Sequence, residues 1–284
     1  MSDTDYHNKI IEYYDATENA YRDSWDLNNS MAIHYGYWDK KVRSFPQSLL
    51  RMNEVMMEAV KITGQDKVLD AGCGIGGSSF FLASKAGCKI TGITLSERQA
   101  EQATIIAKQK GMVDLVSFQV IDYSRTTFPD ASFDVIWACE SVCYAEDKHQ
   151  FVKEAFRLLK PGGRLVIADG FVSKYEYNNR PVVRKWLDGW QVNYLESPYR
   201  FENLLQLEGF VDVRFNNISK YVAHSSRRLL KYYFLATFYL LLKTFTFSNK
   251  ASSMQKKNIK ACWHQYWGLK GGFWEYGLIV GKKP

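Results

Sequence analysis

Between Lys67 and Ser78 the chain runs Lys-Val-Leu-Asp-Ala-Gly-Cys-Gly-Ile-Gly-Gly-Ser. An apolar pair, Val68 and Leu69, ends on the carboxylate of Asp70 and passes straight into Gly72, Gly74, Gly76 and Gly77. Ser79 to Ala83 then read as the first turns of a helix. Strand, glycine turn and helix in that order form the nucleotide-cradling corner of a doubly wound α/β domain. Glycine there admits positive φ and lets the backbone approach a ligand more closely than a Cβ would permit. Two ligand classes compete for such a corner. A dinucleotide site has the spacing G-x-G-x-x-G and an acidic residue about 20 positions on for the ribose. Here the spacing is G-x-G-x-G-G, and the later position is Thr94. Asp70 would repel a pyrophosphate and attract a positively charged amino-acid tail. The residues favour S-adenosylmethionine over a nicotinamide dinucleotide.

The rest of the chain repeats the alternation. Residues 88–94 read as a second strand, and Ser96 as the N-cap of a helix that carries Gln99 and stops at Gly111. A third strand, 116–121, ends in Asp122; a fourth, 133–138, leads into Cys139-Glu140-Ser141. A helix over 148–159 closes on Lys160-Pro161-Gly162-Gly163, and a fifth strand from 164 ends at Asp169. Sixth and last strands are expected over 209–215 and 271–281. Such alternation predicts a mostly parallel sheet with helices on both faces. Ligands bind beyond the carboxyl ends of its strands, so Asp70, Thr94, Asp122, Glu140 and Asp169 should face one crevice.

Two additions flank this frame. Residues 1–44 are expected to form a helical and aromatic lid, with Ile10, Tyr14, Tyr21 and Trp25 at helical intervals. His34-Tyr35-Gly36-Tyr37-Trp38 then crowds aromatics around a glycine, which either staples the helix down or covers a ligand. Residues 45–284 form the main domain, with cap insertions expected at about 171–196 and 219–272, since insertions of that size are lids more often than linkers. The second insertion holds a helix over 227–246 that is apolar on nearly all sides from Leu229 to Leu242. A helix without a polar face is buried or covers an apolar ligand, and a homodimer interface is the alternative. Its apolar run is too short to insert stably in a bilayer, though Lys231 and Lys243 beside it allow weak peripheral association.

Composition narrows the partners. The net charge of +7 comes without an Arg-rich tract or a nucleic-acid module, so no nucleic-acid partner is expected. Eight Trp, 18 Tyr and 17 Phe exceed what a core demands and point to an aromatic-lined pocket for a small apolar substrate. The five cysteines include no Cys-x-x-Cys pair, and no histidine stands at metal-site spacing. The polar N-terminus lacks an apolar signal core, so a cytoplasmic location is expected.

Three ordered motifs carry a resemblance. Leu69-Asp70-Ala71-Gly72-Cys73-Gly74-Ile75-Gly76-Gly77, then Gly92-Ile93-Thr94-Leu95-Ser96, then Leu159-Lys160-Pro161-Gly162-Gly163 resemble the class I S-adenosylmethionine-dependent methyltransferases. With His34-Tyr35-Gly36-Tyr37-Trp38, they are similar to its small-molecule branch of tocopherol, sterol and geranyl-diphosphate methyltransferases and cyclopropane-fatty-acid synthases. The resemblance implies a Rossmann-like seven-stranded sheet whose last strand is antiparallel. It implies that Asp70 and the Gly72–Gly74 backbone hold the methionine end of the cofactor. Thr94, Leu95 and Gln99 would sit at the ribose and adenine, Asp122 and Tyr123 at the adenine, and Cys139 along the sulfonium. Many relatives carry an acidic residue where Thr94 stands.

Methyl transfer requires nucleophile, methyl and sulfur in line and water excluded. Tyr14, Tyr37, Trp38 and Tyr144 are candidates for the aromatic wall around sulfonium and substrate. Glu140 and His34 are the candidate bases, against the plainer readings of a helix-start carboxylate and a packed histidine. The expected function is methyl transfer to an isoprenoid, quinol, polyketide or lipid-like acceptor, at carbon or oxygen. The same fold also suits a cyclopropanating or cyclising enzyme, or a non-catalytic cofactor- or lipid-binding protein.

Overall fold

The computed structural model describes residues 3–25, 27–246 and 252–284. Its strands are β1 (Lys67–Ala71), β2 (Lys89–Thr94), β3 (Val116–Val120), β4 (Phe133–Cys139), β5 (Leu159–Val172), β6 (Val211–Asn217) and β7 (Trp274–Lys282). They form one sheet in the order β3-β2-β1-β4-β5-β7-β6. The first five pair in parallel, and β7 lies antiparallel between β5 and β6. The strand order reverses between β1 and β4, the point at which an open α/β sheet leaves a crevice for a ligand.

Ten helices appear among the described residues. Ahead of the sheet come α1 (Asp3–Ser24), α2 (Leu27–Ser30) and α3 (Phe45–Val60). Between its strands lie α4 (Gly77–Ala86), α5 (Glu97–Gln109), α6 (Lys148–Leu158), α7 (Pro181–Gly189), α8 (Pro198–Glu208), α9 (Ser219–Thr246) and α10 (Ser253–Lys270). Ser44, Ser96 and Asp147 start α3, α5 and α6 by accepting from backbone N–H groups of the first turn.

Strand periodicity sorts the core. Val68, Val135, Trp137 and Val166 point to one face, where Met52 and Met56 of α3 and Phe80 and Leu82 of α4 cover them. Leu69, Ile136, Leu165 and Ile167 point to the other, against Phe151 of α6 and Phe201 of α8. Both faces are thus apolar, which leaves polar chemistry to the strand ends.

Two segments differ from the sequence reading. β5 does not end at Asp169 but continues to Val172, because β7 pairs with it from Arg164 through Val172. The apolar helix begins at Ser219, and only its first half is buried, through Val222, Ser225, Ser226 and Leu229. Farther along, Phe234, Leu235 and Phe238 stand 55%, 69% and 62% exposed. The expectation of a buried helix therefore fails there. No described helix is long and apolar enough to cross a membrane. The side chains of Tyr21 and Lys243 lie outside the described residues.

Leu82 sits fully buried in α4. Leu82→Ala is expected to lower stability by about 2–5 kcal/mol through lost burial and a residual cavity. Urea unfolding should show a lower midpoint at unchanged m-value.

Candidate active site

The turn after β1 is built around its glycines. Gly72 and Cys73 both donate their N–H to the Ile93 carbonyl at 2.9 Å, tying the turn to β2. Gly72 has φ of 85°, and a Cβ there would meet the Ser141 Cβ at 2.4 Å. Gly74, with φ of 54°, has no atom within 4 Å of where its Cβ would stand. Its backbone fronts open space, as a cradle requires.

That space is a cavity of about 1260 Å³, open mouth included, above the ends of β1, β2 and β4. Asp70, Gly72, Gly74, Thr94, Cys139 and Glu140 form its floor. Its roof is N-terminal: Ile10, Ile11 and Tyr14 of α1, then Met31, Ile33 and His34. Met31 lies close on the glycine turn, where a Cβ on Gly77 would stand 2.2 Å from its carbonyl oxygen.

Asp70 is buried and accepts from the Ser79 hydroxyl at 2.7 Å and from the Ser79 N–H. Burial raises its pKa to about 6 despite those bonds. Glu140 follows β4 with φ of 50°. Its Oε1 accepts from the Tyr276 hydroxyl at 2.6 Å and from the Tyr35 N–H at 2.5 Å. Burial, with the Asp169 carboxylate adding to it, raises the Glu140 pKa to about 8 although both bonds oppose the rise. Among the described residues neither Asp70 nor Glu140 forms a salt bridge. His34 is buried beside them, with Nδ1 2.9 Å from the Tyr35 carbonyl. A carbonyl only accepts, so Nδ1 carries the proton and Nε2 is left as an acceptor. No described residue bonds Nε2, and burial lowers the pKa so that the ring stays neutral.

Most of the residues singled out in the sequence come together here. Thr94 is buried, its hydroxyl donating to Gln99 Oε1 at 2.8 Å, and Leu95 and Gln99 line the same end. Tyr123 lines the cavity while its hydroxyl donates to the Ser141 carbonyl at 2.8 Å. Burial pushes the Cys139 thiol well above its usual range. Tyr14 and Tyr144 bring their ring centroids to 5.8 Å. Others lie elsewhere. Asp122 lines an adjoining pocket that shares Leu95, Tyr123 and Tyr144 with the cavity, and its Oδ2 lies 3.8 Å from His7. Asp169 does not line the cavity, because its carboxylate accepts from the Cys143 and Gly170 N–H groups. Tyr37 and Trp38 also stand outside it: Tyr37 stacks on Tyr221 at 4.2 Å, and Trp38 stacks on His224 and donates to Ser225. They serve the packing of α9, and their expected place in a substrate wall is corrected. Ser79, Tyr35 and Tyr276, which hold the two carboxylates, are not among the site residues expected from the sequence. Ser79, in the first turn of the helix after the glycines, was the one with a signal.

Comparison with known proteins places this geometry. The methyltransferase-domain family matches residues 69–167. An O-methyltransferase of Aspergillus sclerotiorum is 31% identical over 188 residues, 66% of this chain and 71% of that protein. The chloroplastic tocopherol O-methyltransferase of Arabidopsis thaliana is 32% identical over 238 residues, 75% of this chain and 66% of that protein. Against other curated relatives the chain spans 57–58% of their length. A geranyl diphosphate methyltransferase solved with geranyl diphosphate and sinefungin shares the fold, with TM-score 0.79 at 20% identity over 98% of this chain and 99% of that one.

The raised carboxyl pKa values have a sign. Between 4.5, the ordinary value for Glu140, and about 8 the folded state holds a proton that the unfolded chain has released. Stability is therefore expected to fall as pH rises through that window, and Asp70 acts in the same sense up to about 6. Glu140→Gln should flatten the fall between pH 6 and 8 and raise the melting temperature at pH 8, read by circular dichroism.

Proposed function

This chain belongs to the methyltransferase-domain family, and from that premise we propose that it transfers the methyl group of S-adenosylmethionine to a small apolar acceptor. One observation carries the reading. Asp70 and Glu140 are buried around one cavity without a basic partner among the described residues, an arrangement that calls for a cationic ligand. A pyrophosphate would worsen that electrostatic cost; an ammonium and a sulfonium would relieve it.

When bound, S-adenosylmethionine supplies an electrophilic methyl group on a sulfonium. Asp70 is assigned to the ammonium and the open backbone at Gly72 and Gly74 to the carboxylate end. Thr94, Leu95 and Gln99 are assigned to the ribose and adenine, with Tyr123 beside the ring, Asp122 at the edge of the neighbouring pocket, and Cys139 along the sulfur. With no acidic residue at the end of β2, Thr94 engages Gln99, whose amide nitrogen is the group left to meet a ribose hydroxyl. Tyr14 and Tyr144 offer ring faces to positive charge. The described part of the N-terminal segment, residues 3–25 and 27–44, acts as the lid that excludes water, Ile10, Ile11 and Ile33 lining it with hydrocarbon. His34 is the better placed base, since its ring is neutral, the residue lines the cavity and no described residue bonds Nε2. Glu140 stabilises positive charge at the reacting centre. Apolar walls favour an isoprenoid, quinol, polyketide or sterol-like acceptor, and the relatives include a tocopherol and a sterol methyltransferase.

Calorimetry tests the premise. S-adenosylmethionine and S-adenosylhomocysteine should bind, and no heat at millimolar cofactor would sink the proposal. Binding of the sulfonium form at pH 7 should release protons, because a cation beside Asp70 and Glu140 favours their ionised forms; titrations in buffers of different ionisation enthalpy measure this. Asp70→Asn should weaken binding roughly 10–100-fold, the loss of one charge-assisted hydrogen bond. With an acceptor in hand, His34→Gln should lower kcat about 10²–10⁴-fold and leave cofactor affinity nearly unchanged.

A further inference from the structure

Helix α1 borders a second concavity. Tyr6, one turn before the cavity-lining Ile10, and Lys9, the residue next to it, contribute to a groove of about 1490 Å³, open mouth included, completed by α7, α10 and Tyr233 of α9. Its charge is one-sided. Lys185, Lys257 and Lys260 face it, whereas its acid, Asp188, is held by Arg184 at 2.8 Å. Burial lowers the His264 pKa, and the nearby Lys185 and Lys260 add to the shift.

The groove meets the exposed half of α9. Trp263 lines it, and the Trp263 ring lies 5.3 Å from Tyr233 and 5.9 Å from Phe234. From that cluster the apolar surface continues through Leu235 and Phe238, all on a solvent-exposed helix face. Basic groove, Trp and Tyr at the junction, and exposed Phe and Leu beyond form the sequence of chemistries met on crossing from anionic headgroups into acyl chains. We propose that this face docks on an anionic phospholipid bilayer, with the lysines on the headgroups and Phe234, Leu235 and Phe238 in the interface.

The charge decides against the other occupants. A second copy related by two-fold symmetry presents the same patch and brings no anion for the lysines. A nucleic acid would satisfy the lysines and leave Leu235 and Phe238 in water. The location also suits the activity. Tyr6 and Lys9 at the groove and Ile10 and Tyr14 at the cavity belong to one helix, so the bilayer would lie beside the roof through which an apolar acceptor enters. That benefit rests on the function proposed above; the docking itself does not.

Sedimentation of the full chain with phosphatidylcholine vesicles, with and without phosphatidylglycerol, tests the assignment. Binding is expected to the mixed vesicles and to weaken with salt. Each lysine contributes roughly five-fold near an anionic surface, so Lys257→Glu with Lys260→Glu should weaken binding by more than about ten-fold. Phe234→Ser with Phe238→Ser should also release the protein, while calorimetry shows cofactor affinity unchanged in both variants. No sedimentation with anionic vesicles, or binding indifferent to both pairs, would overturn the proposal. So would a dimer in sedimentation velocity that Phe234→Ser with Phe238→Ser dissociates, since it would assign the face to a second copy. Because cofactor binding is read separately, failure here and failure of the methyl-transfer reading are distinguishable.

Discussion

Burying an ionisable carboxyl group is costly, and this fold buries two of them at the carboxyl ends of β1 and β4 and a third, Asp169, within β5. Each is held by donors that the topology brings to it. Asp70 has the start of α4, Asp169 has the backbone of Gly170 and Cys143, and Glu140 has Tyr276 from β7 and Tyr35 from the N-terminal segment. The donors reduce the cost without removing it, and the raised pKa values of all three groups measure what remains. Two of the three, Asp70 and Glu140, share one cavity, and a structure left with that imbalance there is suited to a positively charged ligand.

Tyr35 joins the roof to the sheet. Its N–H holds Glu140, its hydroxyl donates to Gln265 of α10, and its ring packs on Trp274 and Tyr276 of β7. The neighbouring Gly36 is pressed so closely on α3 that a Cβ would fall 1.9 Å from the Ser48 hydroxyl. The extended segment from Ile33 to Trp38 is therefore fixed on both sides, and His34 is presented to the cavity by packing rather than by chance. The orientation of His34 and the closure of the roof depend on the same few contacts.

Legibility in the sequence followed the range of the interaction. Asp70, Gly72, Gly74, Thr94 and Glu140 could be placed because strand period and turn chemistry are local, and a parallel sheet gathers its strand ends at one edge. Tyr35 and Tyr276 could not, since they meet Glu140 across 105 and 136 residues. Tyr37 and Trp38 misled for a related reason. A run of aromatics shows apolar demand without saying which neighbour meets it, and here α9 meets it with Tyr221 and His224. Asp169 was read as a strand end, but antiparallel pairing with β7 carries β5 beyond it and turns its carboxylate to its own backbone. The all-round apolar character of α9 was plain; that half of it would be exposed was not, because composition does not distinguish burial in a core from an unmet surface.

The backbone at residue 140 sharpens the case for its side chain. A φ of 50° is one that glycine adopts freely and that costs an L-residue on the order of 1–2 kcal/mol. In this conformation the Glu140 N–H donates to the Ala168 carbonyl at 2.8 Å and holds the end of β4 against β5. A glycine would satisfy that bond without strain and without a buried carboxyl group. Glutamate is thus unfavourable here twice over, in backbone and in solvation, and its two donors do not restore its pKa to the ordinary range. Strain and desolvation thus meet on one side chain at the cavity wall, where a bound cation would offset the cost.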